Sequence, residues 1–341
     1  MINNLFMKNN IALVILFQFF SFYSIAQTTK CNDSLILSIK GTWSKFPQQP
    51  KNIQVTKAEF DEATKSMGAF HQLLLKAYPE GIGCEPQVNM INLRPSFYVP
   101  SVYFYYYYTA IFPYVCIKNK PVYINQTNTT FRVIVNDFEM FWLPADFFIA
   151  GQEIFYRQRK TGKWNGYNTY YSDEQPLVML TRKDMLPYKP VTRKEYLDYM
   201  IHYEDSSLTN MANQYKKDDD PSMKKQATGI TNNKNNILKI FREESEKSGK
   251  QNLLDSPAIV NGIRYVNFSD NAGIFTTEEK GGTPLLMINP AYFRKDLPKY
   301  VPQFIIIRIQ GGEDGTISER YFAKTIKEKF PIDKLQAMID K

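Results

Sequence analysis

This sequence predicts an α+β fold: a mostly antiparallel sheet with an N-terminal helix, a central helical hairpin and a C-terminal β-plus-helix region. Three observations carry that expectation. Two Thr-x-x-Glu boxes, Thr56 with Glu59 and Thr192 with Glu195, each open a stretch of apolar residues at helical spacing. Residues 87–181 hold a succession of short β-prone runs separated by Pro, Gly and Asn, with no helical pattern between them. Residues 251–341 then return to β signals before one more helical stripe.

The chain has 341 residues, of which 43 % are apolar, enough for one large core or two modest ones. Its formal charge is +8, from 42 basic and 34 acidic residues. The basic residues are scattered and never form the dense block that a nucleic-acid patch requires, so no nucleic-acid partner is expected. At the N-terminus, Lys8 precedes an apolar run over residues 11–20, and Ser24 and Ala26 form a small-x-small site. That is the three-part pattern of a secretory signal peptide, so residues 1–26 are expected to be a leader. The junction at Gln27 resembles that of exported proteins of Bacteroidota-type bacteria, a likeness confined to the leader. No later segment is long and apolar enough to cross a bilayer, so no membrane span is expected in the mature chain. The expected location is periplasmic or extracellular.

Export changes the reading of the cysteines. Cys31, Cys84 and Cys116 survive cleavage, and an oxidising compartment favours one bridge with one thiol left over. A Cys84–Cys116 bridge is expected, because Cys84 sits in a Gly-rich loop and Cys116 closes an aromatic stretch. Such a bridge would stabilise the fold by about 3–4 kcal/mol.

Three regions follow the leader: an α+β part with an aromatic-rich sheet (27–190), the helical hairpin (191–250), and terminal strands and helices (251–341). The first helix spans 57–77, with Phe60, Ala63, Met67, Phe70, Leu74 and Ala77 on one face. Strands are expected at 87–93, 97–116, 120–124, 130–136, 153–159, 163–171 and 176–182, with a hairpin turn at residues 160–163. The second capped helix runs from Thr192 to about Lys217. Residues 216–225 read as an exposed charged turn, and a further helix follows at 233–247. Residues 304–309 are apolar nearly throughout, as a central strand would be. Phe322, Ile326 and Phe330 form the last helical stripe.

Motif chemistry is sparse. No nucleophile elbow, HExxH, P-loop or dinucleotide fingerprint occurs, and no catalytic residue, metal site or cofactor is assigned. The two histidines, His71 and His202, fall on separate helices, which disfavours a His-based triad. Asp218, Asp219 and Asp220 lack the spaced oxygen ligands of a calcium loop. A carboxylate-dependent hydrolase acting on envelope or extracellular polymers needs only two acids; Asp137, Glu139, Asp146 and Glu153 are the candidates.

The aromatic stretch at 97–116 is the stronger lead. Alternation divides it into an even set (Phe104, Tyr106, Phe112) expected in the core and an odd set (Tyr103, Tyr105, Tyr107) on the other face. The odd tyrosines form a ladder at intervals of about 7 Å, which Trp164, Tyr167, Tyr170 and Tyr171 would extend. Either a helix covers this ladder and both faces are core, or the ladder is an exposed contact surface. The second alternative makes Tyr103, Tyr105, Tyr107 and Trp164 ligand-binding residues. The expected role is then non-catalytic binding or structure at the bacterial cell envelope, with a glycan, peptide or envelope protein as partner.

Overall fold

A computed structural model describes residues 30–45, 55–138, 141–171, 175–262, 273–312 and 314–341. At residues 90–92, 142, 144, 146 and 147 it describes the backbone alone. The expected leader and Glu139 lie outside the described residues.

In chain order, α1 (Asp33–Ser38), β1 (Lys40–Gly41) and α2 (Lys57–Ala77) come first. Strands β2 (Gly81–Ile82), β3 (Cys84–Pro95), β4 (Tyr103–Ile117), β5 (Lys120–Tyr123) and β6 (Thr130–Val135) follow. Next are β7 (Trp142–Ile149), β8 (Gln152–Arg157), β9 (Lys160–Trp164), β10 (Tyr167–Tyr171), β11 (Pro176–Leu180) and β12 (Tyr188–Pro190). The hairpin helices α3 (Arg193–Lys216) and α4 (Pro221–Lys250) precede β13 (Ile259–Val260), β14 (Thr283–Ile288) and β15 (Ile305–Gln310). Helices α5 (Ile317–Lys329) and α6 (Ile332–Gln336) end the chain.

Every strand pairing is antiparallel, and the class is α+β. The larger sheet runs β3-β4-β6-β15-β11-β10-β9, with β5 added to β4. The smaller runs β12-β14-β8-β7, with β13 on β14. Four layers result. Phe60, Met67, Phe70 and Leu74 of α2, with Phe322 and Ile326 of α5, cover one face of the larger sheet. Its other face, through Phe104, Ile134 and Ile306, meets Phe155 and Leu286 of the smaller sheet. The far side of that second sheet carries the α3/α4 hairpin through Tyr196, Leu197 and Phe241.

Local signals decide most ends. Thr56, Thr192 and Thr316 each cap a helix through a reciprocal box with the Glu three positions on. The second hairpin helix begins well before residue 233. Asp220 accepts from the Ser222 amide as N-cap and Pro221 occupies the first turn, so residues 217–220 form the exposed turn and the rest of the charged stretch starts the helix. The β9/β10 hairpin turns at Asn165 and Gly166, both with positive φ (49° and 87°), where an Asn-Gly pair suits a two-residue turn. Residues 160–163 are strand, and correct the expected turn there. Strand β7 was not anticipated; it joins β8 through Ala150 and Gly151, again at positive φ (50° and 78°).

Two further expectations are corrected. The disulfide joins Cys31 to Cys116, and Cys84 is a buried free thiol. Cys84 lies opposite Pro113 in the β3/β4 register. Cys116 is three positions further along β4, so the alternating pleat sends the two side chains to opposite faces. The Cys31 amide instead donates to Asn119 Oδ1 (3.2 Å) at the β4/β5 turn, which brings Cys31 beside the exposed end of β4. Second, the tyrosine ladder is core: Tyr103 is 8 % exposed, and Tyr105 and Tyr107 are 0 %. Trp164, at 5 %, belongs to the same cluster. Helix α2 covers this face, and α5 and α6 close it. Tyr170 turns to the opposite face across a bulge beside Thr169, and Tyr171 is exposed.

Candidate ligand-binding cleft

Each buried aromatic of the odd face uses its polar tip internally. Tyr103 donates to Glu59 Oε1 (3.0 Å), and Tyr105 donates to the Tyr300 carbonyl (2.9 Å). The Thr56 side chain and backbone hold the Glu59 carboxyl below its ordinary pKa. Thr109 donates to the Tyr107 hydroxyl (2.8 Å), which lies 2.8 Å from His71 Nδ1. Burial lowers the His71 pKa and raises that of Tyr107. Trp164 Nε1 donates to the Lys327 carbonyl (2.7 Å). Tyr103, Tyr107 and Trp164 thus tie the sheet to α2 and α5, Tyr105 ties it to the loop at Tyr300, and all four are buried.

The even set behaves differently along its length. Phe104 is buried between the two sheets, whereas Tyr106, Tyr108 and Phe112 are only half-buried. Tyr108 and Phe112 form one wall of a cleft of about 880 Å³, at the end of the larger sheet where β6 begins and β15 stops. That volume lies within the range of small-molecule sites, roughly 300–1,000 Å³. The opposite walls are the polar segment 126–129, which leads into β6, and the loop 311–316, which leads from β15 to α5.

Both loops are held in place by Glu319. Its Oε2 accepts from the Thr316 amide (2.8 Å) and hydroxyl (2.9 Å), and its Oε1 accepts from Thr127 Oγ1 (2.9 Å). The carboxylate therefore caps α5 and ties it to the β5/β6 loop. Gly311 makes the close approach feasible: at φ 72°, a Cβ there would lie 2.8 Å from the Asn128 carbonyl oxygen. On the aromatic side, Phe112 and Tyr114 lie 6.4 and 5.7 Å from Tyr123, centroid to centroid, so the wall continues onto the surface. Tyr114 donates to Glu85 Oε1 (2.9 Å), and that bond raises its pKa.

The named acids do not converge on this cleft. Asp137 follows β6 and is 7 % exposed, and Glu153 lies on β8 in the other sheet. The side chain of Asp146, like Glu139, lies outside the described residues. The described carboxylates in the cleft are Asp314 and Glu319. No cluster of three or more His, Cys, Asp or Glu that could hold a metal occurs among the described residues. The free thiol is not a reactive group either: burial raises Cys84 to about 12, against the Tyr78 hydroxyl at 3.4 Å.

Sequence reasoning placed Phe112 in the core and singled out neither cleft loop. The available signals were the Asn/Thr-rich run 125–130 before β6 and the Gly-rich run 311–315 before a helix cap. No family model matches the chain, and no curated protein or solved structure is significantly similar to it.

Proposed function

We propose that this chain is an exported, non-catalytic binding protein of the bacterial cell envelope, whose contact surface is the aromatic wall at Tyr108 and Phe112. The observation that carries the reading is this pair of half-buried rings facing two polar loops across a cleft of about 880 Å³. Rings that are neither core nor fully exposed, opposite fixed polar groups, match the make-up of ligand sites. The leader pattern supports export. So does the Cys31–Cys116 bridge, since structural disulfides persist mainly in oxidising compartments. No described helix is long and apolar enough to cross a membrane. Binding without catalysis accords with Glu319, whose carboxylate accepts three hydrogen bonds in a structural role.

Co-sedimentation of the mature chain with isolated bacterial envelope fractions tests this. The wild type should be retained, and Tyr108→Ala with Phe112→Ala should reduce retention by roughly tenfold or more while far-UV circular dichroism stays native. Equal retention of the two proteins, or none of either, would defeat the proposal.

A further inference from the structure

We infer that the cleft takes a neutral glycan, a step that rests on reading the cleft as the binding site. The chain carries 42 basic residues and a charge of +8, yet none of the described residues lining the cleft is Lys or Arg. Asp314 and Glu319 are there instead. An anionic ligand would meet two carboxylates, a like-charge arrangement that costs affinity, while the neighbouring guanidinium of Arg132 lies over the Tyr108 ring at 5.2 Å and does not line the cleft. Glu319 does not call for a cationic ligand, because Thr127 and Thr316 already satisfy its oxygens. What remains at the rim is the pair of exposed, uncharged amides of Gln126 and Asn128, which both donate and accept, beside the exposed Asp314 carboxylate, which accepts.

A sugar ring matches this inventory. Its hydroxyls both donate and accept, and its C–H face lies well on an aromatic ring such as Phe112. A peptide would be taken up differently, by adding a strand to an open sheet edge or by filling apolar holes. Beside these rings no edge is open. At Tyr108, β4 is paired with β3 on one side and β6 on the other. Charge, hydrogen-bonding capacity and strand pairing thus select the same ligand class.

Titration calorimetry on the mature chain separates the outcomes. The probes are neutral hexasaccharides of glucose, xylose and N-acetylglucosamine, with polygalacturonate and a lysine-rich peptide as opposing arms. At least one neutral saccharide should bind, Phe112→Ala should weaken it by roughly tenfold or more, and polygalacturonate should not compete. Phe97→Ala, an exposed ring outside the cleft, should leave the affinity unchanged. If the peptide or polygalacturonate binds in a Phe112-dependent way and the neutral saccharides do not, the glycan inference is wrong and the cleft remains the site. If none binds, or if Phe112→Ala has no effect on any that does, both readings fall.

Discussion

At the scale of single residues, the buried contact between His71 and Tyr107 decides a pH response. Burial lowers the His71 pKa from its ordinary 6.5, so the folded state holds the ring neutral. Below that ordinary value the unfolded chain takes up a proton that the folded chain refuses. Stability is therefore full above about pH 6.5 and falls as the pH drops toward the depressed folded value. Urea unfolding at pH 7.5 and pH 5.5 should show this loss, and His71→Asn, which keeps an acceptor for Tyr107, should show less of it. Identical losses in the two proteins would remove His71 as the cause. The same network explains why the tyrosine ladder could not be placed from the sequence. Alternation establishes which tyrosines share a face, but not which face the helices cover. Tyr103 finds its partner 44 positions away and Tyr105 finds its partner 195 positions away, so nothing local announces that their hydroxyls are satisfied inside. The set with more hydroxyls looked wetter and proved the drier.

Among the elements, β4 is the longest strand described, and its far end is held by the bridge to Cys31. The cysteines are 85 positions apart, so the chain-entropy account assigns the bridge about 4–5 kcal/mol through the unfolded state. A reductant should lower the melting temperature of the wild type. Cys116→Ala should melt at the reduced value with no further response, and Cys84→Ala should respond as the wild type does. A Cys84→Ala protein indifferent to reductant would contradict the Cys31–Cys116 pairing. Helix boundaries were legible only in part: the Asp220 cap, whose cause lies two residues on, reads in the sequence as part of a charged turn. The boxes at Thr56 and Thr192 locate two helix starts, and Asn165-Gly166 was an equally local signal, outweighed by a lysine-flanked glycine nearby. The disulfide was not local in this sense. Choosing between Cys31 and Cys84 depends on the β3/β4 register, because only register shows that Cys84 and Cys116 face apart. The cleft is harder still, since its two loops are separated by more than half of the chain and meet through Thr127 and Glu319, 192 positions apart.

For the whole molecule, the decisive fact is how late in the chain the sheets are completed. Strand β15 lies between β6 and β11, and β14 lies between β12 and β8, so both sheets take an interior strand from residues 251–341. In β15, Ile305, Ile306, Ile307 and Ile309 are all 0 % exposed and belong to the cores on both faces of the larger sheet. Without it, β6 and β11 have no partner on their facing edges, and the backbone groups there lose the bonds that stabilise them in the sheet. The segments 27–190 and 191–250 are therefore not expected to fold as a unit. Expressed as residues 27–250, the chain should lack the near-ultraviolet circular dichroism of packed aromatics. The full chain should unfold with coincident near- and far-ultraviolet transitions, as one cooperative structure does. A 27–250 fragment with sharp aromatic signals and its own cooperative transition would show that the late strands are additions to a finished core, and the four-layer account of stability would have to be abandoned.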